Sequence, residues 1–103
     1  MKIGYKEKEK EIELSFSGRG GKGDVEDVIE VFKKIQSKKK PVQVKIDLSG
    51  LDHVESALIG VLIHFHKEIK IFGGTISIHC TQKSIQDFFE STKLNKIFDI
   101  KGL

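Results

Sequence analysis

Ser56, Glu55, four histidines and a glycine-rich loop holding Arg19 and Lys22 are the residues whose types and spacing bear on chemistry. Ser56 stands in the stretch from Val42 to Leu62, VQVKIDLSGLDHVESALIGVL, which reads as a strand, a short loop and a helix beginning at Ser56. A hydroxyl on the first turn of a helix lies among unpaired backbone N–H groups at the positive end of the helix dipole. A phosphate added there is well accommodated, because helix N-termini are ready-made anion sites. The plainer reading makes Ser56 an N-cap and nothing more. Glu55 beside it is either a carboxylate that supports Ser56 or simply a favourable charge at a helix start, and the second is commoner.

The other candidates are weaker. His53, His64, His66 and His79 include a pair two apart on one helix, and such a pair points to different faces. There is no His-Glu-x-x-His and no cysteine partner, which argues against a metal site. A serine hydrolase would present Ser56 in a Gly-x-Ser-x-Gly elbow, whereas the local sequence is HVESALI. A triad assembled in space is the only hydrolase route left. The loop from Ser17 to Gly23, SGRGGKG, resembles a phosphate-binding loop superficially, but Gly23 follows Lys22 where Ser or Thr is required. Nucleotide binding there is rejected.

The whole chain of 103 residues reads as one domain spanning 1–103, with 38% hydrophobic and 32% charged residues and a net charge of +3. Lys38, Lys39 and Lys40 form a dense run near Lys33 and Lys34, but no aromatic residues interleave with them as in a single-strand nucleic-acid groove. The run reads as the solvated end of a helix, and no nucleic-acid partner is expected. Cys80 is alone, so a disulfide framework and a zinc quartet are excluded, and a reducing, cytoplasmic setting fits. The apolar stretch from Ala57 to Ile63 is too short for a bilayer, and no signal peptide is evident. Membrane insertion is not expected.

The elements that must position Ser56 follow from periodicity. Ile3 and Tyr5 suggest a first strand, with Lys6 to Lys10 as a turn. Ile12, Leu14 and Phe16 alternate on one face of a second. Asp24 is a natural N-cap for a helix whose buried stripe is Val25, Val28, Ile29, Phe32 and Ile35, stopped by Pro41. Val42, Val44, Ile46 and Leu48 form the next strand. The central helix runs from Ser56 to about Phe72 and stops at Gly73 and Gly74, with Leu58, Val61, Leu62, Phe65, Ile69 and Phe72 as its core stripe. Thr75 to Cys80 alternates again. Ser84 and Asp87 suggest a capping box for a short helix carrying Ile85, Phe88 and Phe89, and Leu94, Ile97, Phe98 and Ile100 form a last packed segment. The order is ββαβαβα, an α/β fold with a mixed sheet. Because the strands alternate rather than run continuously apolar, helices are expected mainly on one face. Ile59 and Ile63 flank the central stripe: a neighbouring helix covers them, or they form an exposed apolar patch beside Ser56 that marks a partner site.

The stretch IDLSGLDHVESALIGVLIHFHKEIKIFGGTISIHC is similar to the STAS domain of bacterial anti-sigma factor antagonists, and FFESTKLNKIFDI looks like that family's usual ending. The resemblance covers about Glu11 to Ile100. The family's core reads Asp-Ser-Ser/Thr-Gly-Leu-Gly-Val/Ile-Leu between a strand and a helix ending in Gly-Gly. Ser56 falls on its phosphoacceptor position, and Gly60 and Val61 match the later Gly and aliphatic residue. Glu55 stands in place of the Asp, Ala57 of the second hydroxyl residue and Leu58 of the Gly; Gly18, Arg19, Gly20 and Gly21 stand in place of the usual Gly-Glu-Ile-Asp.

The resemblance implies a non-enzymatic, phosphorylatable binding switch in signal transduction and transcription regulation. The unphosphorylated antagonist binds an anti-sigma factor that is also a serine kinase. Phosphorylation of Ser56 breaks the complex, and a protein phosphatase restores it. No cofactor is implied. The expected binding surface combines Glu55, Ser56, Ile59 and Ile63 with Arg19 and Lys22 in the glycine-rich loop. The alternatives are a STAS scaffold that binds constitutively in a signalling or transporter assembly and, from a different class, a small hydrolase using Ser56.

Overall fold

The computed structural model describes residues 2–18, 22–52 and 54–101. The elements are β1 (Lys2–Glu7), β2 (Glu11–Gly18), α1 (Lys22–Gln36), β3 (Gln43–Leu51), α2 (Ser56–Ile71), β4 (Thr75–His79), α3 (Lys83–Ser91), a 3-10 turn (Leu94–Lys96) and β5 (Asp99–Lys101). The five strands lie side by side in chain order. β1 is antiparallel to β2, and β2 through β5 are mutually parallel. The ββαβαβα order thus holds and is extended. The last apolar segment is a 3-10 turn followed by an edge strand.

Strand alternation sorts the sheet into two faces. Ile12, Leu14, Phe16, Val44, Ile46, Leu48, Ile76 and Ile78 are buried under the helices. Glu13, Ser15, Lys45, Asp47, Ser77 and His79 occupy the other face, half-buried or exposed. The helices therefore cover one face, as the alternation requires. α1 and α2 meet through stacked rings of Phe32 and Phe65, whose centroids are 3.8 Å apart.

Several boundaries and faces differ from expectation. α1 begins at Lys22, not after an Asp24 cap; Asp24 lies inside the first turn, where its carboxylate still complements the helix dipole. α3 begins at Lys83, and its N-cap is Gln82 rather than Ser84. On α2 the buried set is Leu58, Ile59, Leu62, Phe65 and Ile69. Val61 and Phe72 are only half-buried. The stripe is rotated toward Ile59 because α2 packs on both the sheet and α1. On α3 only Ile85 and Phe89 are buried, leaving Phe88 exposed. Ile97, expected in the last packed segment, is also exposed, while Leu94 and Phe98 are core.

Candidate functional site

β3 delivers the chain to Ser56. Its C-terminal end departs from regular pairing: the β2–β3 register shifts between Ser15 and Ser17, and Ser17 then pairs with Gly50. A Cβ on Gly50 would sit 2.7 Å from the Ser17 Cβ and 2.9 Å from the Phe16 carbonyl oxygen, so only glycine permits that approach. Asp52 N–H donates to the Gly18 carbonyl at 3.0 Å, fastening the loop to the end of β2. Val54 packs against the core.

Gln82 is the residue that sequence reasoning missed. Its carboxamide NH2 donates to the carbonyls of Leu48 at 3.1 Å, Ser49 at 2.9 Å and Leu51 at 2.5 Å, while its oxygen accepts from Thr81 N–H. This clamp joins the start of α3 to the end of β3. It also explains why Gln82 makes no side-chain cap bond to its own helix. A lone glutamine after a strand carries no sequence signal for such a role.

At α2 the N-cap is Glu55, extended at φ −79° and ψ 155°, with no side-chain cap bond. Ser56 is therefore the first helical residue rather than the cap. Ile59 N–H donates to the Glu55 carbonyl at 3.1 Å, which leaves the amides of Ser56, Ala57 and Leu58 without intrahelical acceptors. The Ser56 side chain is exposed, and its hydroxyl makes no hydrogen bond among the described residues. Leu58, by contrast, is fully buried and pins this turn to the core.

The expected apolar patch does not form as a pair. Ile59 is 6% exposed and belongs to the core, so the covered reading holds there. Ile63 is half-buried and packs against the core edge. Arg19 lies outside the described residues, as does the side chain of Lys22. The structure instead places a groove of about 370 Å3 beside Ser56, between α1 and α2. Ile29, Phe32, Val61 and Phe65 form its apolar lining, with exposed Lys33 and His64 at its margin. Gly60 opens onto it, and a Cβ there would meet no atom within 4 Å. A larger concavity of about 620 Å3 lies on the helix-free face of the sheet, around Ser15, Asp47 and His79.

No described histidine hydrogen-bonds to Ser56, and His53 lies outside the described residues. His66 sits edge-on to Phe98 at 5.2 Å with its Nδ1 buried and unpaired, so burial, aided by nearby Lys70, pushes its pKa down. Burial raises the Cys80 thiol, with Asp47 adding to the effect. Among the described residues no three His, Cys, Asp or Glu converge to hold a metal ion. No described helix is long and apolar enough to cross a membrane.

The sequence profile of the STAS domain matches residues 9–102. The chain belongs to the STAS domain family. An anti-sigma factor antagonist from Mycobacterium paratuberculosis superimposes with a TM-score of 0.83 at 15% identity, over 96% of this chain and 83% of that one. An anti-sigma-factor antagonist (STAS) domain protein from Planctomyces limnophilus gives 0.80 at 20% identity, over 97% and 88%. SpoIIAA, a Bacillus cell fate determinant, gives 0.79 at 10% identity in its phosphorylated form, over 99% and 91%. At these identities the likeness concerns the fold. No curated protein matches the sequence.

Proposed function

We propose that this STAS domain is a binding switch in a bacterial partner-switching pathway, sequestering an anti-sigma factor that is also a serine kinase until Ser56 is phosphorylated. A protein phosphatase resets it. The observation that carries this reading is the Ser56 hydroxyl, exposed and unpartnered among the described residues, on the first turn of α2 beside an open groove. A phosphate there adds about −1.5 to −2 charges at pH 7. The first-turn amides and the helix dipole accommodate that charge, so the domain stays folded. A partner surface packed on Ser56 and the groove over Gly60 must instead desolvate it, and the complex breaks. That SpoIIAA, of the same fold, has been solved phosphorylated supports the reading. Glu55, the half-buried Ile63, Arg19 and Lys22 complete the proposed contact surface, from which the buried Ile59 is removed.

The test is binding of the cognate kinase to Ser56→Asp and Ser56→Ala, with mass spectrometry of the wild type after incubation with kinase and ATP. The expected result is one added phosphate on Ser56, weakened binding by Ser56→Asp and preserved binding by Ser56→Ala. Equal affinities with no phosphate would favour a constitutive scaffold. That second reading draws on Leu58, whose burial holds the first turn rigid against a kinase active site. Ester hydrolysis lost in Ser56→Ala would revive the hydrolase.

A further inference from the structure

Lysine is concentrated at one end of the sheet. β2 to β5 are parallel, so the connections leading into them gather at one end with the β1–β2 turn, opposite the end carrying Ser56. Three of those four connections carry lysine, and the last turn of α2 supplies one beside the fourth. Lys8 and Lys10 stand in the β1–β2 turn, and residues 38–40 between α1 and β3 are all lysine. Lys70 lies in the last turn of α2, and Lys93 and Lys96 lie between α3 and β5. All but Lys38 are exposed. Of the glutamates nearby, Glu7 is paired with Lys38, Glu11 with Lys45 and Glu13 with Lys8; Glu9, Glu68 and Glu90 are also at or near this end. The Ser56 end is mixed in sign: Asp24, Asp52 and Glu55 stand there with Lys83, and the sequence adds Arg19 and Lys22 from the end of β2 to the start of α1.

Two observations go beyond charge. Lys39, at φ 50°, and Lys93, at φ 62°, are the non-glycine residues with positive φ among those described. The position after the α2 C-cap, equivalent to Lys93 after α3, is Gly73 at φ 81°. Left-handed backbone favours glycine, so both turns hold lysine against a conformational preference. In addition, two of the three large exposed apolar side chains stand at this same end. Ile71, the last residue of α2, is 71% exposed, and Ile97, just before β5, is 44% exposed.

We infer that this end of the domain docks peripherally on an anionic lipid bilayer, with the Ser56 end facing away from it. The lysines meet lipid headgroups, while the aliphatic tips of Ile71 and Ile97 reach the acyl boundary. Duplex DNA would attract the same lysines but offer nothing to the isoleucines. The inference stands independently of any phosphorylation at Ser56.

Co-sedimentation of the full chain with vesicles tests it, comparing phosphatidylcholine alone with phosphatidylcholine mixed with phosphatidylglycerol. Binding is expected to the anionic vesicles only and to weaken as salt rises. Each lysine near such a surface contributes roughly fivefold, so Lys39→Glu with Lys40→Glu should lower the partition at least about 25-fold. Ile71→Ser should weaken vesicle binding without changing retention on duplex DNA, and Lys83→Glu, at the opposite end, should change neither. Lys39→Gly with Lys93→Gly should raise the melting temperature while weakening vesicle binding, which separates docking from folding. Binding to neither vesicle, equal binding to both, or an Ile71→Ser variant that binds like the wild type would overturn the inference.

Discussion

Leu58, fully buried two residues beyond Ser56, couples any chemistry at the helix start to the core. Replacing it with Gly removes a core side chain, a change that costs about 2–5 kcal/mol for Leu→Ala, and adds about 1 kcal/mol of helix penalty. Below its lowered melting temperature, Leu58→Gly should nonetheless accept phosphate on Ser56 faster, because the loosened turn aligns more easily with the donor. Slower transfer with the fold intact would make Leu58 a kinase contact. Gly60 gives the converse case. With open space at its Cβ position, Gly60→Ala should stabilise α2 by up to about 1 kcal/mol. A bulkier Gly60→Phe should fill the groove and cut partner binding; unchanged affinity would move the partner surface elsewhere. His66 supplies a pH dependence. Its pKa is lowered in the folded state, so folding disfavours the charged ring, and stability falls as pH drops below the ordinary value of about 6.5. His66→Leu should flatten that acid limb in urea titrations, and an unchanged limb would assign it to other groups.

Among the elements, α2 shows where periodicity suffices and where it does not. Its extent, its stop at Gly73 and the burial of Leu58, Leu62, Phe65 and Ile69 all follow from spacing that sequence displays directly. The exchange of Val61 for Ile59 in the core does not, because it depends on how α2 is rolled between the sheet and α1, and helical spacing leaves that roll open. α3 fails for a different reason. Ser84 and Asp87 make a plausible capping box, yet the helix starts two residues earlier because the Gln82 carboxamide is anchored on β3 carbonyls thirty-odd residues away in sequence. Such a contact has no local signature. Ser56 was legible as a first-turn residue because strand, loop and helix are contiguous, whereas the groove beside it arises from two helices and was not. Gln82→Leu would leave the Leu48, Ser49 and Leu51 carbonyls without that donor. It should destabilise by about 1–3 kcal/mol, and its largest amide chemical-shift changes should fall from the end of β3 to Glu55 rather than in β1. Changes confined to α3 would show that the clamp does not support the Ser56 loop.

At the scale of the whole molecule, the spatial order of the strands repeats their order along the chain. No strand has to be inserted between two already paired. As the polypeptide leaves the ribosome, each new strand therefore finds its single partner edge already present, and the sheet can grow in one direction like a fan being opened. β3 alone then has two strands on either side, while β1 and the three-residue β5 close the margins. Amide hydrogen exchange should follow that ranking, slowest at Val44 and Ile46 and fastest toward the outer strands, because marginal strands open without unfolding the rest. Uniform protection across all five strands would mean that the sheet opens only as a unit. With graded protection, β5 and the 3-10 turn become the place where the fan is last opened and first closed.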